Sequence, residues 1–270
     1  MNDPITWWQA IVLGLTQGLT EFIPVSSSAH LNIVHWMMGQ PRDQVFTFDM
    51  MLNIGTLAAL AWYFRHDWKE LLSNPAQKRL RNLVIIACVP AVIAGVLLRD
   101  LEEKHILFTD VRFNALMMIV MGLALYAADY FGRKKRTIEN VQTNDALFIG
   151  VSQALALIPG VSRSGATLTA GLIKGFERAD AARFSFLMSL PITLGAVGFK
   201  FLSAVHKNEF ATASAPIPMM ILGILASAVS GFWAISFLLN YLKTRSVALF
   251  VVWRIVVALG VFALYPILRR

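Results

Sequence analysis

Two short polar clusters interrupt apolar stretches of the chain, and both contain residue types that handle phosphate groups. The first cluster combines a glutamate with serines and a histidine: Gln17, Glu21, Ser26, Ser27, Ser28 and His30. The second places an arginine among small and hydroxyl residues: Ser162, Arg163, Ser164, Gly165 and Thr167. A carboxylate can act as a general base, a hydroxyl as a nucleophile, and a guanidinium can hold phosphate oxygens through paired hydrogen bonds. The clusters therefore predict chemistry on a substrate that carries phosphate.

The two clusters belong to copies of one repeat. Between residues 10–31 and 146–167, seven of 22 positions are identical at a constant spacing of 136 residues. Duplicated hydrophobic segments with breaks at matching places are typical of proteins whose site lies at the interface of two repeats. We predict one membrane domain, 1–270, made of a first repeat, 1–135, and a second repeat, 136–270.

The composition predicts an all-α integral membrane protein. Hydrophobic residues make up 57% of the chain and charged residues 15%, and the mean hydropathy is +0.61. A helix needs roughly 17–25 apolar residues to cross about 30 Å of hydrocarbon. Six segments are predicted as full spans: 48–64, 82–98, 111–131, 184–203, 218–240 and 247–268.

The remaining apolar segments, 5–38 and 146–174, carry the polar clusters and are predicted to enter the membrane and return as re-entrant helix–loop–helix hairpins. Each repeat then crosses the membrane three times, an odd number, so the two repeats have inverted topology. An alternative with eight full spans stays open at this point.

Each polar cluster follows a helix-breaking segment. Pro24 and the pair Pro159-Gly160 interrupt regular helix, because proline lacks a hydrogen-bond donor and glycine adopts unusual backbone angles. We predict short helices after the breaks, Ser28–Met38 and Ser164–Lys174, each capped by its first serine. Two helix N-termini that meet from opposite faces would form an anion site, with the breaks within about 10 Å of each other.

Glu21 and Arg163 are the two charges that distinguish the repeats, because their equivalents are Leu157 and Ser27. A charged side chain at membrane depth costs a few kcal/mol and usually has a function. Glu21 is predicted either to bind a metal through its oxygens or to act as a general base. Arg163 is predicted to hold phosphate, and the alternative is that it only neutralises Glu21.

The other polar residues have two interpretations each. The hydroxyl groups either bind phosphate or only cap the broken helices, and Gln17 and Gly165 are predicted to bind phosphate beside them. His30 either donates a proton near Ser27 or is a hydrogen-bonded packing residue. Asp49 and Arg254 lie outside the clusters, and pairing during assembly accounts for them as well as catalysis does.

The net charge of +8 indicates membrane orientation rather than binding to nucleic acid. Basic residues concentrate in the loops 65–81 and 132–145, which the proposed topology places on one side, the cytoplasm. The intervening loop 99–110 is acidic. Of the 24 Lys and Arg residues, 14 then lie inside and 8 outside, with Arg163 and Arg254 in the membrane.

The segment from Glu21 to His30, Glu-Phe-Ile-Pro-Val-Ser-Ser-Ser-Ala-His, resembles a signature motif of the undecaprenyl-diphosphatase (bacitracin-resistance) family. So does the segment from Pro159 to Thr167, Pro-Gly-Val-Ser-Arg-Ser-Gly-Ala-Thr. The family's paired acidic motif, (Glu/Gln)-x-x-x-Glu, appears here in its glutamine form, with Gln17 before Glu21. The resemblance covers nearly the whole chain, including the late pair Trp253-Arg254.

This resemblance implies an enzyme of the bacterial inner membrane that removes one phosphate from a C55 polyprenyl diphosphate. It implies recycling of the lipid carrier for cell-wall synthesis, resistance to bacitracin, and a divalent cation, Mg²⁺ or Ca²⁺. A polyprenyl diphosphate lipid and the bilayer are then the partners, and a homodimer stays open. Because the first hairpin enters from outside in the inverted topology, we predict an active site that faces the periplasm.

The predicted mechanism is phosphoryl transfer, with Ser27 as nucleophile activated by Glu21 or His30. Direct attack by water with Glu21 as base is the alternative. A different class of function, a polyprenyl-phosphate transporter or flippase, fits inverted repeats and an anion site equally well.

Overall fold

The computed structural model describes residues 5–40, 42–98, 110–206 and 215–268, and the regular elements within them are helical. The α-helices are α1 (Trp7–Phe22), α2 (Ser27–Met37), α3 (Arg42–Tyr63), α4 (Arg65–Ser73), α5 (Lys78–Leu97), α6 (Val111–Phe131), α7 (Thr143–Ala154), α8 (Arg163–Ile173), α9 (Arg178–His206), α10 (Ile217–Thr244) and α11 (Ala248–Leu268). Three short 3₁₀ helices lie at Pro75–Gln77, Ile138–Asn140 and Leu155–Leu157. The predicted all-α class is confirmed.

Six helices of the described residues are long and apolar enough to cross a membrane: α3, α5, α6, α9, α10 and α11. The remaining long apolar segments are each divided into two shorter helices, α1 with α2 and α7 with α8. Helices α2 and α8 have 11 residues each, about 16 Å, which is roughly half the hydrocarbon thickness. The alternative with eight full-length spans is therefore wrong. Re-entry of the two hairpins on opposite sides stays a prediction.

The two halves of the chain interlock through equivalent contacts. Helix α1 packs against α10, and its repeat equivalent α7 packs against α5. A Cβ atom at Gly14 would lie 2.5 Å from the carbonyl oxygen of Gly223, and one at Gly150 would lie 2.3 Å from that of Ala87. Positions 14 and 150 are equivalent in the repeat, and so are positions 87 and 223, because both pairs are 136 residues apart. The two close contacts are therefore equivalent by the repeat. Small residues let the backbones approach this closely, as is common between membrane helices.

Several predicted boundaries differ from the structure. Residues 65–81 do not form a simple loop, because α4 folds there with Asp67 in its first turn and Leu71 buried. Helix α9 begins at Arg178 rather than 184 and continues to His206, so most of the interval between the predicted hairpin and the predicted span is helical. The acidic loop 99–110 lies, apart from Asp110, outside the described residues.

The basic loop before α7 is anchored by an ion pair between Arg136 and Asp145. Asp145 also accepts a hydrogen bond from the backbone N–H of Gln142 at 3.0 Å and so caps the start of α7. Burial of the Asp145 carboxyl would raise its pKa, but the hydrogen bonds from Arg136 and Gln142 outweigh this and the pKa is lowered. The N-terminal end of the second hairpin is thereby fixed.

Candidate active site

The first break separates α1 from α2 and leaves the polar cluster at the start of α2. Pro24 disfavours continuation of the helix, and the residue before it, Ile23, is extended, with φ −65° and ψ 136°. Ser26 then adopts φ 77°, a region that residues other than glycine rarely occupy. Helix α2 starts at Ser27 rather than Ser28. The predicted capping role of Ser28 is wrong, because Ser26 occupies the N-cap position.

The second break has the same backbone conformation at the equivalent serine, where Ser162 has φ 74°. Gly160 has φ 91°, and a Cβ there would lie 2.4 Å from the carbonyl oxygen of Asn114, so only glycine fits. Helix α8 starts at Arg163, and the Oγ of Ser162 accepts a hydrogen bond from the N–H of Gly165 at 3.2 Å. Ser162 is therefore the cap, not Ser164 as predicted.

Glu21 and Arg163 form an ion pair between the two hairpins. The Oε1 of Glu21 lies 2.7 Å from the Nη2 of Arg163, and their side chains are 13% and 19% exposed. The other Nη of Arg163 donates to the hydroxyl of Thr193 in α9. The two charges that break the repeat symmetry thus meet, partly shielded, and Thr193 orients the guanidinium.

Ser27 points at the same carboxylate. Its Oγ donates a hydrogen bond of 2.5 Å to Oε2 of Glu21, the contact that proton transfer from a hydroxyl to a general base requires. The amide of Gln17 donates to this oxygen as well, at 3.1 Å, and to the Oδ1 of Asn53 at 3.2 Å. Sequence reasoning missed Asn53, and its one signal was an amide inside an apolar span.

The second hairpin is also joined directly to the end of α1. The Oγ of Ser164 lies 3.3 Å from the carbonyl oxygen of Glu21 and 3.4 Å from that of Ile23. Because these contacts bring the two breaks side by side, the predicted close approach is confirmed. The starts of α2 and α8 consequently lie close together, and backbone N–H groups and dipoles at helix starts favour an anion.

His30 is buried and held on both ring nitrogens. Its Nδ1 lies 2.8 Å from the carbonyl oxygen of Ser26, and its Nε2 accepts from the indole N–H of Trp253 at 2.9 Å. Since an indole nitrogen only donates, Nε2 is the acceptor and Nδ1 carries the proton. The structure brings His30 next to the first break but not into contact with Glu21 or Ser27.

Comparison with known proteins agrees with this geometry. The model of the family described as bacitracin resistance protein BacA matches residues 10–260. An undecaprenyl-diphosphatase of Gemmatimonas aurantiaca is 43% identical over 270 residues, covering 96% of this chain and 98% of its own. One of Moorella thermoacetica is 45% identical over 271 residues, covering 98% and 100%. The chain belongs to the bacitracin resistance protein BacA family.

In this BacA family member, the other residues of the second cluster form its internal frame. The Oγ of Thr167 donates to the carbonyl oxygen of Arg163 at 2.8 Å and lies 2.5 Å from the Oγ of Ser185. Gly165 uses its N–H in the cap of α8. Ser28 is exposed, and its Oγ lies 3.3 Å from that of Ser26. Phosphate binding by these residues stays a prediction.

The two charged residues that lie outside the clusters also find partners in this BacA family member. Asp49 pairs with His35, whose Nε2 lies 2.9 Å from Oδ1. Arg254 is fully buried and reaches backbone oxygens of both breaks. The assembly interpretation therefore accounts for Asp49, whereas Arg254 lies against the site.

Proposed function

We propose that the chain hydrolyses undecaprenyl diphosphate to undecaprenyl phosphate and inorganic phosphate, and so recycles the lipid carrier for peptidoglycan synthesis and confers resistance to bacitracin. The observation that carries this proposal is the Glu21–Arg163 ion pair with Ser27 on the same carboxylate, at the junction of two helix N-termini. A base, a hydroxyl and an anion-binding guanidinium are the groups that phosphoryl transfer needs.

Substrate binding begins with an exchange of partners at Arg163. The terminal phosphate takes the place of Glu21 Oε1 on the guanidinium, whose planar fork suits two phosphate oxygens. Thr193 keeps the other side of the guanidinium in place during this exchange. Backbone N–H groups at the starts of α2 and α8 receive the remaining negative charge. The exchange leaves Glu21 with its hydrogen bonds from Ser27 and Gln17.

The chemical step follows from the bond between Ser27 and Glu21. The Oγ of Ser27 attacks the terminal phosphorus and passes its proton to Glu21 Oε2, while the anhydride P–O bond breaks and undecaprenyl phosphate leaves. Glu21 gives this proton to the departing phosphate oxygen and is a base again. It then takes a proton from the water that attacks the phosphoserine, the bond between phosphorus and Ser27 Oγ breaks, Glu21 returns the proton to Oγ, and inorganic phosphate is released. In the alternative, water attacks the diphosphate directly and Ser27 only orients it.

His30 is proposed as a proton donor in this reaction, and its position gives limited support. Both ring nitrogens have partners, so a donor role requires the bond to Ser26 or to Trp253 to open. The same contacts support the packing interpretation, in which His30 fixes the turn that carries Ser27.

A divalent cation, Mg²⁺ or Ca²⁺, is proposed as cofactor. The described residues include no group of three or more His, Cys, Asp or Glu side chains suited to a metal. Two oxygen donors nevertheless lie on either side of one amide nitrogen, because the Nε2 of Gln17 donates both to the carboxylate of Glu21 and to the Oδ1 of Asn53. Hard cations prefer such oxygens and commonly use one carboxylate together with substrate phosphates. Glu21 and the Oδ1 of Asn53 would hold the ion, which would neutralise charge on the diphosphate.

The orientation is proposed from the distribution of basic residues. With the loops 65–81 and 132–145 in the cytoplasm, the repeats are inverted and the cleft that contains Glu21 opens to the periplasm of a bacterial inner membrane. A homodimer is a further prediction.

The orientation is tested in intact cells on a Cys88→Ser background, with a cysteine placed either at Lys135 or at Glu103. A membrane-impermeant thiol reagent should label only Glu103→Cys, and labelling only at Lys135→Cys would reverse the orientation.

The activity itself is tested by phosphate release from undecaprenyl diphosphate with the purified protein in detergent, with and without a chelator. A transporter or flippase needs two compartments and releases no phosphate under these conditions. Release that depends on the protein supports the enzyme, and none under any divalent cation would contradict it. Loss of release with chelator and recovery with Mg²⁺ or Ca²⁺ supports the cofactor.

A further inference from the structure

Arg254 of α11 has no exposed surface and joins three parts of the chain. Its Nε donates to the carbonyl oxygen of Met118 in α6 at 2.8 Å. Its Nη1 donates to the carbonyl oxygen of Pro24 in the first break at 3.0 Å. Its Nη2 donates to those of Gly160 and Val161 in the second break, at 2.7 and 3.2 Å. One guanidinium thus contacts both breaks.

Three of the four carbonyl oxygens that Arg254 contacts, those of Pro24, Gly160 and Val161, belong to backbone outside regular helix. Pro24 precedes α2 by three residues, and Val161 precedes α8 by two. Non-helical backbone at membrane depth persists only where its polar groups find partners inside the protein. Arg254 supplies these partners to both breaks at once, so its position sets the distance between them.

The charge of Arg254 has no acidic partner among the described residues, since its hydrogen bonds all go to carbonyl oxygens. It also lies near the start of α8, where a Cβ at Gly165 would be 3.1 Å from its Nη1. A cation is disfavoured at a helix N-terminus, and an unpaired buried charge is costly and usually functional. Such an arrangement is hard to explain by packing alone.

A second contact from α11 supports the same role. Trp253, the preceding residue, donates to His30, which in turn contacts the carbonyl oxygen of Ser26. Helix α11 therefore holds the first break at two points, Pro24 and Ser26, which both lie just before Ser27.

We infer that Arg254 is a positioning residue, which holds the two breaks at the spacing that lets Glu21, Ser27 and Arg163 meet around one phosphate. The inference rests on the proposed function. Arg254 does not touch the substrate, because its side chain is fully buried and its hydrogen bonds go to backbone carbonyl oxygens. It acts through the backbone that carries the three reacting side chains.

This role predicts a loss in kcat rather than in KM. A displacement of about 1 Å at a reacting group can cost about 10²-fold in rate. Binding of the lipid through its prenyl chain and through Arg163 is less sensitive to that displacement. We expect kcat of Arg254→Lys and Arg254→Met to fall about 10²-fold with KM within about threefold of the parent value. Lysine is expected to fail because a single ammonium cannot replace the fork.

Arg178→Met is the matched control. Arg178 is another arginine with a specific partner, because its side chain bonds to the carboxylate of Asp129 rather than to either break. Its loss should lower the melting temperature but leave kcat within about threefold. Activity is measured on monodisperse protein well below the melting temperature of each variant.

A gentler pair of variants covers the case in which Arg254 variants do not fold. A Cβ at Gly122 would lie 3.5 Å from Cδ of Arg254, an ordinary contact, so Gly122→Ala should keep full activity. Gly122→Val adds two methyl groups on that side and should push the arginine, lowering kcat with KM unchanged. The two substitutions occur at one position in α6 that bears no reacting group.

A double-mutant cycle separates positioning from general destabilisation. Thr193→Val and Gly122→Val should be non-additive in kcat, because both displace Arg163 relative to Glu21, whereas Thr193→Val and Arg178→Met should be additive. The inference assumes a parent protein that releases phosphate. It fails if the folded Arg254 and Gly122→Val variants keep kcat within about threefold of the parent value. It also fails if the effects of Thr193→Val and Gly122→Val on kcat are additive. A parent that releases no phosphate would instead contradict the proposed function.

Discussion

The two hairpins share the backbone conformation of one serine and the short helix that follows it, but they carry different side chains there. Ser26 and Ser162 occupy equivalent positions with φ values of 77° and 74°. The next residue starts a helix of 11 residues in both hairpins, but it is Ser27 in the first and Arg163 in the second. The last turn before the break carries Glu21 in one hairpin and Leu157 in the other.

This comparison shows how a duplicated fold can build an asymmetric site. The shared backbone supplies two helix N-termini that suit an anion, which either copy alone could offer. The differing side chains divide the chemistry, with the base and hydroxyl on the first hairpin and the guanidinium on the second. The Glu21–Arg163 ion pair joins what the duplication separated.

Exchanging the charges of Glu21 and Arg163 between the two hairpins is expected to have the largest effect. The double variant Glu21→Arg/Arg163→Glu keeps an ion pair between the hairpins, so folding should survive. It moves the carboxylate away from Ser27, so phosphate release should fall by at least about 10³-fold. Melting temperature and release are measured together. A folded double variant with more than a few per cent of the parent rate would show that pairing alone matters.

Replacing Ser27 tests the comparison of the two hairpins at one position, because Ser27 is the repeat equivalent of Arg163. Ser27→Ala removes the hydroxyl on Glu21 and should abolish release if Ser27 is the nucleophile. Retention of about a tenth of the activity or more would favour direct attack by water, since losing a true nucleophile costs far more. Ser152→Ala, in α7, is the control, because its hydroxyl contacts only the carbonyl oxygen of Ile149.

The smallest expected effect concerns the starts of the hairpins. Gln9 caps α1 through the backbone N–H of Thr6, and the equivalent Asp145 caps α7 with a charge that Arg136 shares. Asp145→Asn makes the second start resemble the first and should cost about 1 kcal/mol of stability at neutral pH with little effect on activity.

The pH dependence checks this assignment. The pKa of Asp145 in the folded protein is lowered below its ordinary value. Its contribution to stability is therefore complete above the unfolded-state pKa, near 4, and is lost as the pH falls through the lowered folded-state pKa. The difference in melting temperature between parent and Asp145→Asn should shrink over that acidic range. A constant difference would exclude the charge of Asp145 as its cause.

Much of the architecture could be predicted because membrane depth penalises polar groups strongly. Long apolar segments with few charges located the six spans, and Pro24 and the pair Pro159-Gly160 located the breaks. The meeting of Glu21 with Arg163 followed from opposite charges that each lacked a repeat equivalent. These inferences depend on the free-energy cost of placing polar and charged groups in the membrane, and the residue types in the sequence show where that cost arises.

What could not be predicted depends on neutral or backbone partners. The helices start one residue early because serine adopts positive φ at both caps, a conformation typical of glycine. Asn53 and Thr193 reach the site from α3 and α9, and neutral polar residues in spans give little signal. The role of Arg254 was hidden because its partners are carbonyl oxygens, which every residue has.

The central claim is that Glu21 and Arg163 act together on the phosphate, each from its own hairpin. The most direct measurement is phosphate release from undecaprenyl diphosphate by purified, monodisperse Glu21→Gln and Arg163→Ala, beside the parent. The account predicts that both variants fold and that each loses at least about 10³-fold in kcat/KM. Near-normal release by folded Arg163→Ala would contradict it.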